Sequence, residues 1–150
     1  PPRSTLFPYT TLFRSWAEKN GSHEIVILDG VASKTHDGKA FCAAEEDLCR
    51  VMESNDINMI PQGFITGVAG GLLNECLMRP IQGITLLVKA NDKGADPLAA
   101  ATLLDAVNRA YGLNINTSDL RKKKKRIGED FRELSDKYTE HRKIDSNMYM

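Results

Sequence analysis

Apolar positions in this chain recur in short blocks whose spacing alternates between the strand period and the helix period. Glu24 to Leu28 (EIVIL) is a β-branched run closed by Asp29-Gly30 and predicts a buried strand. Ala40 to Glu53 places Phe41, Ala44, Leu48, Val51 and Met52 at helical spacing with charges between them, which predicts an amphipathic helix able to cover that strand. Ile57 to Thr66, interrupted at Ile60-Pro61, predicts a broken strand running into the glycine turn Gly67-Val68-Ala69-Gly70-Gly71. A short helix over Leu72 to Met78 follows and stops at Arg79-Pro80, because the proline ring disfavours helical geometry in the residue before it. Gly83 to Val88 (GITLLV) is a further apolar run of buried-strand type. The predicted order to this point is β, α, β, α, β.

The clearest helix opens at Asp96-Pro97. The carboxylate can accept from free first-turn amides, and proline at the first helical position sacrifices no hydrogen bond. Leu98, Ala101, Leu104, Val107 and Tyr111 form its expected buried stripe, and Gly112 is a left-handed stop. Thr117 or Ser118 caps an expected last helix reaching about Lys143, with Leu120, Ile127, Phe131, Leu134 and Tyr138 along one face like a coiled-coil seam. Alternating strands and helices predict an α/β fold: three layers, with an open, mostly parallel sheet between helices on both faces.

The first fifteen residues, PPRSTLFPYTTLFRS, break the pattern, since their hydroxyl, aromatic and proline residues sustain neither period. The stretch TLFPYTTLFRS resembles translated sequencing-adapter read-through. On that reading residues 1–15 are not native, authentic sequence starts near Trp16, and upstream strands of the sheet are missing, which leaves an exposed strand edge and a poorly soluble product.

Composition narrows the class without naming it. The 150 residues are 41% hydrophobic and 27% charged, ordinary globular usage that suits one domain. No apolar run approaches the roughly 20 residues of a spanning helix, so no membrane partner is expected. Twenty basic and twenty acidic residues balance overall, yet residues 1–120 hold a net −4 and residues 121–150 a net +4. Cys42, Cys49 and Cys76 match neither a zinc site nor a CxxC pair, which suits a reducing cytoplasm.

Candidate chemistry is sparse. The turn Gly63-x3-Gly67-x2-Gly70-Gly71 lies between a strand and a helix, where an anion could bind, but it matches neither a Walker loop nor GxGxxG. Close packing of helix on strand is the favoured reading. His23, His36 and His141 are scattered without a metal-binding spacing, and Cys76 shares an apolar helix face with Leu72 and Leu73, the setting of a small core residue. No nucleophile elbow or carboxylate pair is present, so no catalytic residue, metal or cofactor is expected and the chain reads as a non-enzyme. Arg121, Lys122, Lys123, Lys124, Lys125 and Arg126 form the strongest charge run. Without interleaved aromatic residues they suit a solvated helix face or an acidic protein partner better than nucleic acid. Their place at a helix start opposes the helix dipole, a small penalty that hints at use.

The chain ends Met148-Tyr149-Met150 after a polar stretch with no helical pattern, which predicts a flexible tail. Hydrophobic, Tyr, any residue resembles the HbYX signature of proteasome-binding proteins, and at this chain's composition it arises by chance in about one chain in a hundred. EIVILDG, PQGFITGVAGGLLNECLMRPIQGITLLVKA, ADPLAAATLLDAVNRAYGLNIN and the Leu-rich extension together resemble the archaeal-type proteasome assembly chaperone family, second-chaperone type, from about Glu24 to Lys143. The resemblance implies a nucleoside-phosphorylase-like fold without phosphorylase activity, homo-oligomers, and docking on proteasome α-subunits through Met148, Tyr149 and the α-carboxylate of Met150. The expected organisation is therefore a non-native 1–15, a partial α/β domain at 16–115, an amphipathic helix at 116–143 and a docking tail at 144–150. Two other functions stay open: a nucleoside- or phosphate-binding protein or enzyme using the glycine turn, and a nucleic-acid module using the basic run.

Overall fold

The computed structural model describes residues 8–79, 81–91 and 94–123. Its elements are α1 (Pro8–Lys19), β1 (Glu24–Ala32), β2 (Ala40–Ala44), α2 (Glu46–Glu53), β3 (Asn58–Met59), α3 (Gly67–Leu77), β4 (Gln82–Ala90) and α4 (Pro97–Tyr111), with residues 118–123 again helical.

Six consecutive residues of β4, Gly83 to Val88, are buried, so this strand must be covered on both faces and flanked on both sides. The sheet meets that demand with the order β1-β4-β2-β3. β1 runs parallel to β4 from Glu24 opposite Gln82 to Ala32 opposite Ala90. β2 lies antiparallel on the other side, Ala40 opposite Val88 and Ala44 opposite Ile84, and β3 adds a short parallel edge to β2. The sheet is thus mixed: β1–β4 and β2–β3 are parallel, in keeping with a mostly parallel sheet, and only β2–β4 is antiparallel, because a short β1–β2 loop with no helix turns the chain back.

Side chains alternate across β4 into two cores. Ile84 and Leu86 pack with Ala40, Cys42, Cys49, Met52, Ile57 and Ala106 beneath α2 and α4. On the opposite face Ile25, Cys76 and Ile81 meet Ala17 of α1. A Cβ on Gly83 would stand 2.5 Å from Cys76 Cβ, so only glycine lets α3 settle on the strand. Tyr111 at the end of α4 donates to Glu24 Oε1 at 2.8 Å, fastening the helix to the start of β1. Burial and that bond hold the phenol well above its ordinary pKa.

Other expectations need correction. Residues 40–44 are strand β2, and the helix starts only at Glu46. Phe41 and Ala44 fit a helical period as well as a strand, and the pairing with β4 decides. Val51 then faces solvent at 53% exposure, while Cys49 and Met52 are buried. The expected strand over 57–66 shrinks to Asn58–Met59, and α3 begins at Gly67 instead of Leu72. α4 starts and stops where expected, but its buried residues are Ala99, Ala101, Thr102 and Ala106; the small residues, not Leu98 and Leu104, are sealed. Residues 8–15, expected to lack a period, belong to α1. That helix turns the usual arrangement around: Thr10 and Arg14 are buried, whereas Tyr9, Leu12, Phe13 and Trp16 are exposed. Apart from Ala17 in the core, its attachment is polar, with Thr11 Oγ1 donating to Glu75 at 2.9 Å and Arg14 paired with Glu75 at 3.3 Å and Glu18 at 2.5 Å. Of the expected helix at 116–143, only residues up to 123 are described.

Candidate functional site

The entry to α4 is a densely bonded polar point. Asp96 Oδ1 accepts from the amides of Leu98 at 3.2 Å and Ala99 at 3.1 Å, and Oδ2 accepts from the amide of Asn91 at 3.1 Å. Pro97 occupies the first turn and Gly112 closes the helix at φ 63°. Burial works to raise the Asp96 carboxyl, but the amides of Ala99, Asn91 and Leu98 and the nearby His36 outweigh it and hold the group below its ordinary range. The β1–β2 loop sits alongside. Ser33 donates its amide to Ala90 at 2.9 Å, and Lys89 pairs with Asp37 at 2.8 Å. The bond from Lys89 lowers the Asp37 carboxyl. The ends of the parallel pair β1–β4 thus gather His36, Asp37, Lys89, Asn91 and Asp96, a grouping that spans 60 sequence positions and that no spacing rule exposes.

The glycine turn is built for packing. Gly67 has φ +67°, left-handed geometry that favours glycine, and a Cβ on Gly70 would stand 2.2 Å from the carbonyl oxygen of Ile65. Gly63 lies beside Ile60 in the loop, and Gly71 falls half-buried within α3. Thr66, which precedes the helix, makes no side-chain cap bond. Sequence reasoning missed the neighbour: Phe64 is 99% exposed and Val68 62% exposed. An aromatic residue in a Pro/Gly loop belongs to no period, so patterning has no means of placing it.

The basic run is partly neutralised where it is described. Arg121 forms an ion pair with Asp105 of α4, whose other oxygen accepts from Thr117 Oγ1 at 2.8 Å. Lys122 lies 3.5 Å from Asp119, and Lys123 is exposed. Lys124, Lys125 and Arg126 lie outside the described residues, as do His141 and the expected docking residues Met148, Tyr149 and Met150.

All three cysteines are free and buried. Burial, followed by the neighbouring Cys49, pushes the Cys42 thiol up to about 12, and burial also raises Cys76, so both are poor nucleophiles at neutral pH. Among the described residues no group of three or more His, Cys, Asp or Glu side chains could hold a metal. Nor is any described helix long and apolar enough to cross a membrane.

Comparison with known proteins supplies the frame for these features. A family model described as the PAC2 family matches residues 4–135. An uncharacterized protein of Methanocaldococcus jannaschii is 26% identical over 113 residues, covering 75% of this chain and 47% of its own length. The Pyrococcus furiosus protein PbaA, described as an archaeal homolog of proteasome-assembly chaperone, superposes with a TM-score of 0.85 at 23% identity, over 99% of this chain and 63% of its own; at that identity the likeness shows the fold alone. Pyrococcus furiosus PbaB, described as an archaeal proteasome activator, superposes with a TM-score of 0.75 at 26% identity, over 90% of this chain and 61% of its own. The chain therefore spans about half to three fifths of the length of these relatives.

Proposed function

Because the chain belongs to the PAC2 family, we propose that it comes from a non-enzymatic chaperone or adaptor that binds proteasome α-subunits and favours core-particle assembly. The observation that carries this reading is the family match over residues 4–135, joined by a relative described as a proteasome activator at 26% identity. The setting is cytoplasmic and the whole protein is a homo-oligomer.

Docking runs through the tail at 144–150. The α-carboxylate of Met150 pairs with a lysine between adjacent α-subunits, while the Tyr149 ring fills an apolar slot beside Met148 and its hydroxyl finds an acceptor. One tail binds weakly, and several presented together gain roughly 10² to 10⁴ in avidity when geometry permits simultaneous engagement. Arg121 to Arg126 supply a secondary contact to acidic protein surface. Arg121 and Lys122 already face Asp105 and Asp119, so their share of that contact is the smaller one. Neither alternative gains a specific observation: the glycine turn is occupied by backbone packing, and the basic run is partly paired.

Capture of purified α-subunits by the full chain, by a version lacking Met148 to Met150, and by Tyr149→Ala tests this. Capture should fall at least about tenfold in both variants, the scale of losing a buried aromatic anchor. Unchanged capture by both would refute tail docking. No capture by any of the three would refute the α-subunit as partner.

A further inference from the structure

We propose that the open edge of β1 is a self-pairing surface: two copies of this chain join their β1 strands antiparallel about Val26, fusing two four-stranded sheets into one.

The two edges of the sheet differ. β3 closes one side with only two residues, whereas β1 forms the other with nine, a long strand to leave at an edge. Backbone direction along β1 follows from the bonds at its two ends. Gln82 donates its amide to the carbonyl of His23 at 3.1 Å, and the amide of Ser33 donates to the carbonyl of Ala90 at 2.9 Å. Alternate residues of a parallel ladder bond to the same neighbour, so the odd-numbered residues from His23 to Ser33 face β4. Glu24, Val26, Leu28, Gly30 and Ala32 therefore turn their amides and carbonyls outward. One of these amides is already taken, because Gly30 donates to Asp29 Oδ1 at 2.8 Å. Among the described residues the uninterrupted free edge is thus Glu24, Val26 and Leu28.

That edge is complementary to itself in one register. Centred on Val26, an antiparallel pair sets Val26 opposite Val26 of the second copy and Glu24 opposite Leu28 at each end. Each such pair exchanges two bonds, so the three make about six and use every free outward group without calling on Gly30. A centre at Ile27 or Leu28 brings Gly30 into the ladder, where Asp29 holds its amide. The side chains agree with the backbone. Val26 and Leu28, 37% and 44% exposed, carry the face of their β4 partners Ile84 and Leu86 out to solvent, and the pair covers them. On the other face the exposed His23 falls opposite Asp29 of the second copy, whose Oδ2 is left to accept from the imidazole. No like charges stand directly opposite each other from His23 to Asp29, and the twofold arrangement closes as a dimer. The pair gives the homo-oligomer proposed above an interface made by the folded body alone, so its test needs no proteasome component and leaves tail docking untouched.

Sedimentation of the full chain over a range of concentrations reads the dimer. Val26→Lys sets two lysines face to face on the axis and should raise the dimer dissociation constant at least about tenfold. Leu28→Lys, at an equally open position, meets Glu24 of the second copy and should stay within about threefold of the unaltered chain. Mixing Val26→Lys with Val26→Glu should restore a mixed dimer, which also shows that the lysine variant had folded. A chain monomeric at every concentration, an assembly that Val26→Lys leaves unchanged, or a mixture that stays monomeric overturns edge pairing. Equal weakening by Val26→Lys and Leu28→Lys overturns the register about Val26.

Discussion

α4 and α1 lie on opposite faces of one sheet and are held by opposite means. α4 has its own start and stop signals, Asp96-Pro97 and Gly112, and packs Ala106 with Ile84 and Leu86. α1 buries Thr10 and Arg14, exposes Tyr9, Leu12, Phe13 and Trp16, and is attached largely through Glu75. The first arrangement draws on apolar burial, roughly 25 cal/mol per Å². The second depends on an ion network whose gain is offset by desolvation of Arg14. Both helices lie against the sheet, but α1 adds only Ala17 to its apolar core, whereas α4 adds Ala106 with Leu103, Val107 and Ala110 beside it.

Four changes test the contrast. Leu86→Ala, in the floor beneath α4, should cost about 2 to 5 kcal/mol in denaturant melts, the range for a large side chain removed from a sealed core. A loss below about 1 kcal/mol would mean that this core is loosely packed. Gly83→Ala, one pleat away on the opposite face, should cost about 1 to 3 kcal/mol, because the new methyl meets Cys76 and backbone must shift. Asp96→Ala should cost about 0.5 to 2 kcal/mol at neutral pH. The Asp96 carboxyl sits lower in the folded chain than its ordinary value of about 3.9, so its contribution is present above that pH and disappears as pH falls through the folded value. The gap between Asp96→Ala and the unaltered chain should therefore close in acid. Removing residues 1–15 should cost least, under about 1 kcal/mol in a thermal melt, because the gain of the Arg14 ion pairs is offset by the desolvation of Arg14. A loss as large as that of Leu86→Ala would show that α1 stabilises the sheet as strongly as α4 does.

The same contrast explains what the sequence made legible. α4 could be read residue by residue because capping, proline placement and a glycine stop are local chemistry. β4 could be read because six buried residues in succession admit few alternatives. β2 could not: Ala40 to Ala44 is short and small-sided, and its identity depends on pairing with Leu86 and Leu87, more than forty positions away. α1 was illegible because apolar periodicity assumes that apolar residues point inward, and there they do not. Of the candidate site, the sequence exposed the individual parts, the glycine turn, the basic run and the terminal tail. It could not reveal that Asp105 answers Arg121 or that Lys89 answers Asp37, since those meetings are made by the tertiary fold.

The strand order has a consequence for how the protein is made. β1 and β2 are consecutive in the chain, yet they do not touch, because β4 occupies the place between them. A nascent chain leaving the ribosome has both strands in hand long before residue 82, with an unfilled slot where their mutual neighbour belongs. Non-local pairing of this kind slows folding and leaves open flanks available to the wrong strand. β4 is thus the keystone of an arch whose two sides are raised first, and the interval before it drops into place is when this polypeptide is most vulnerable to entanglement with its neighbours on the same message.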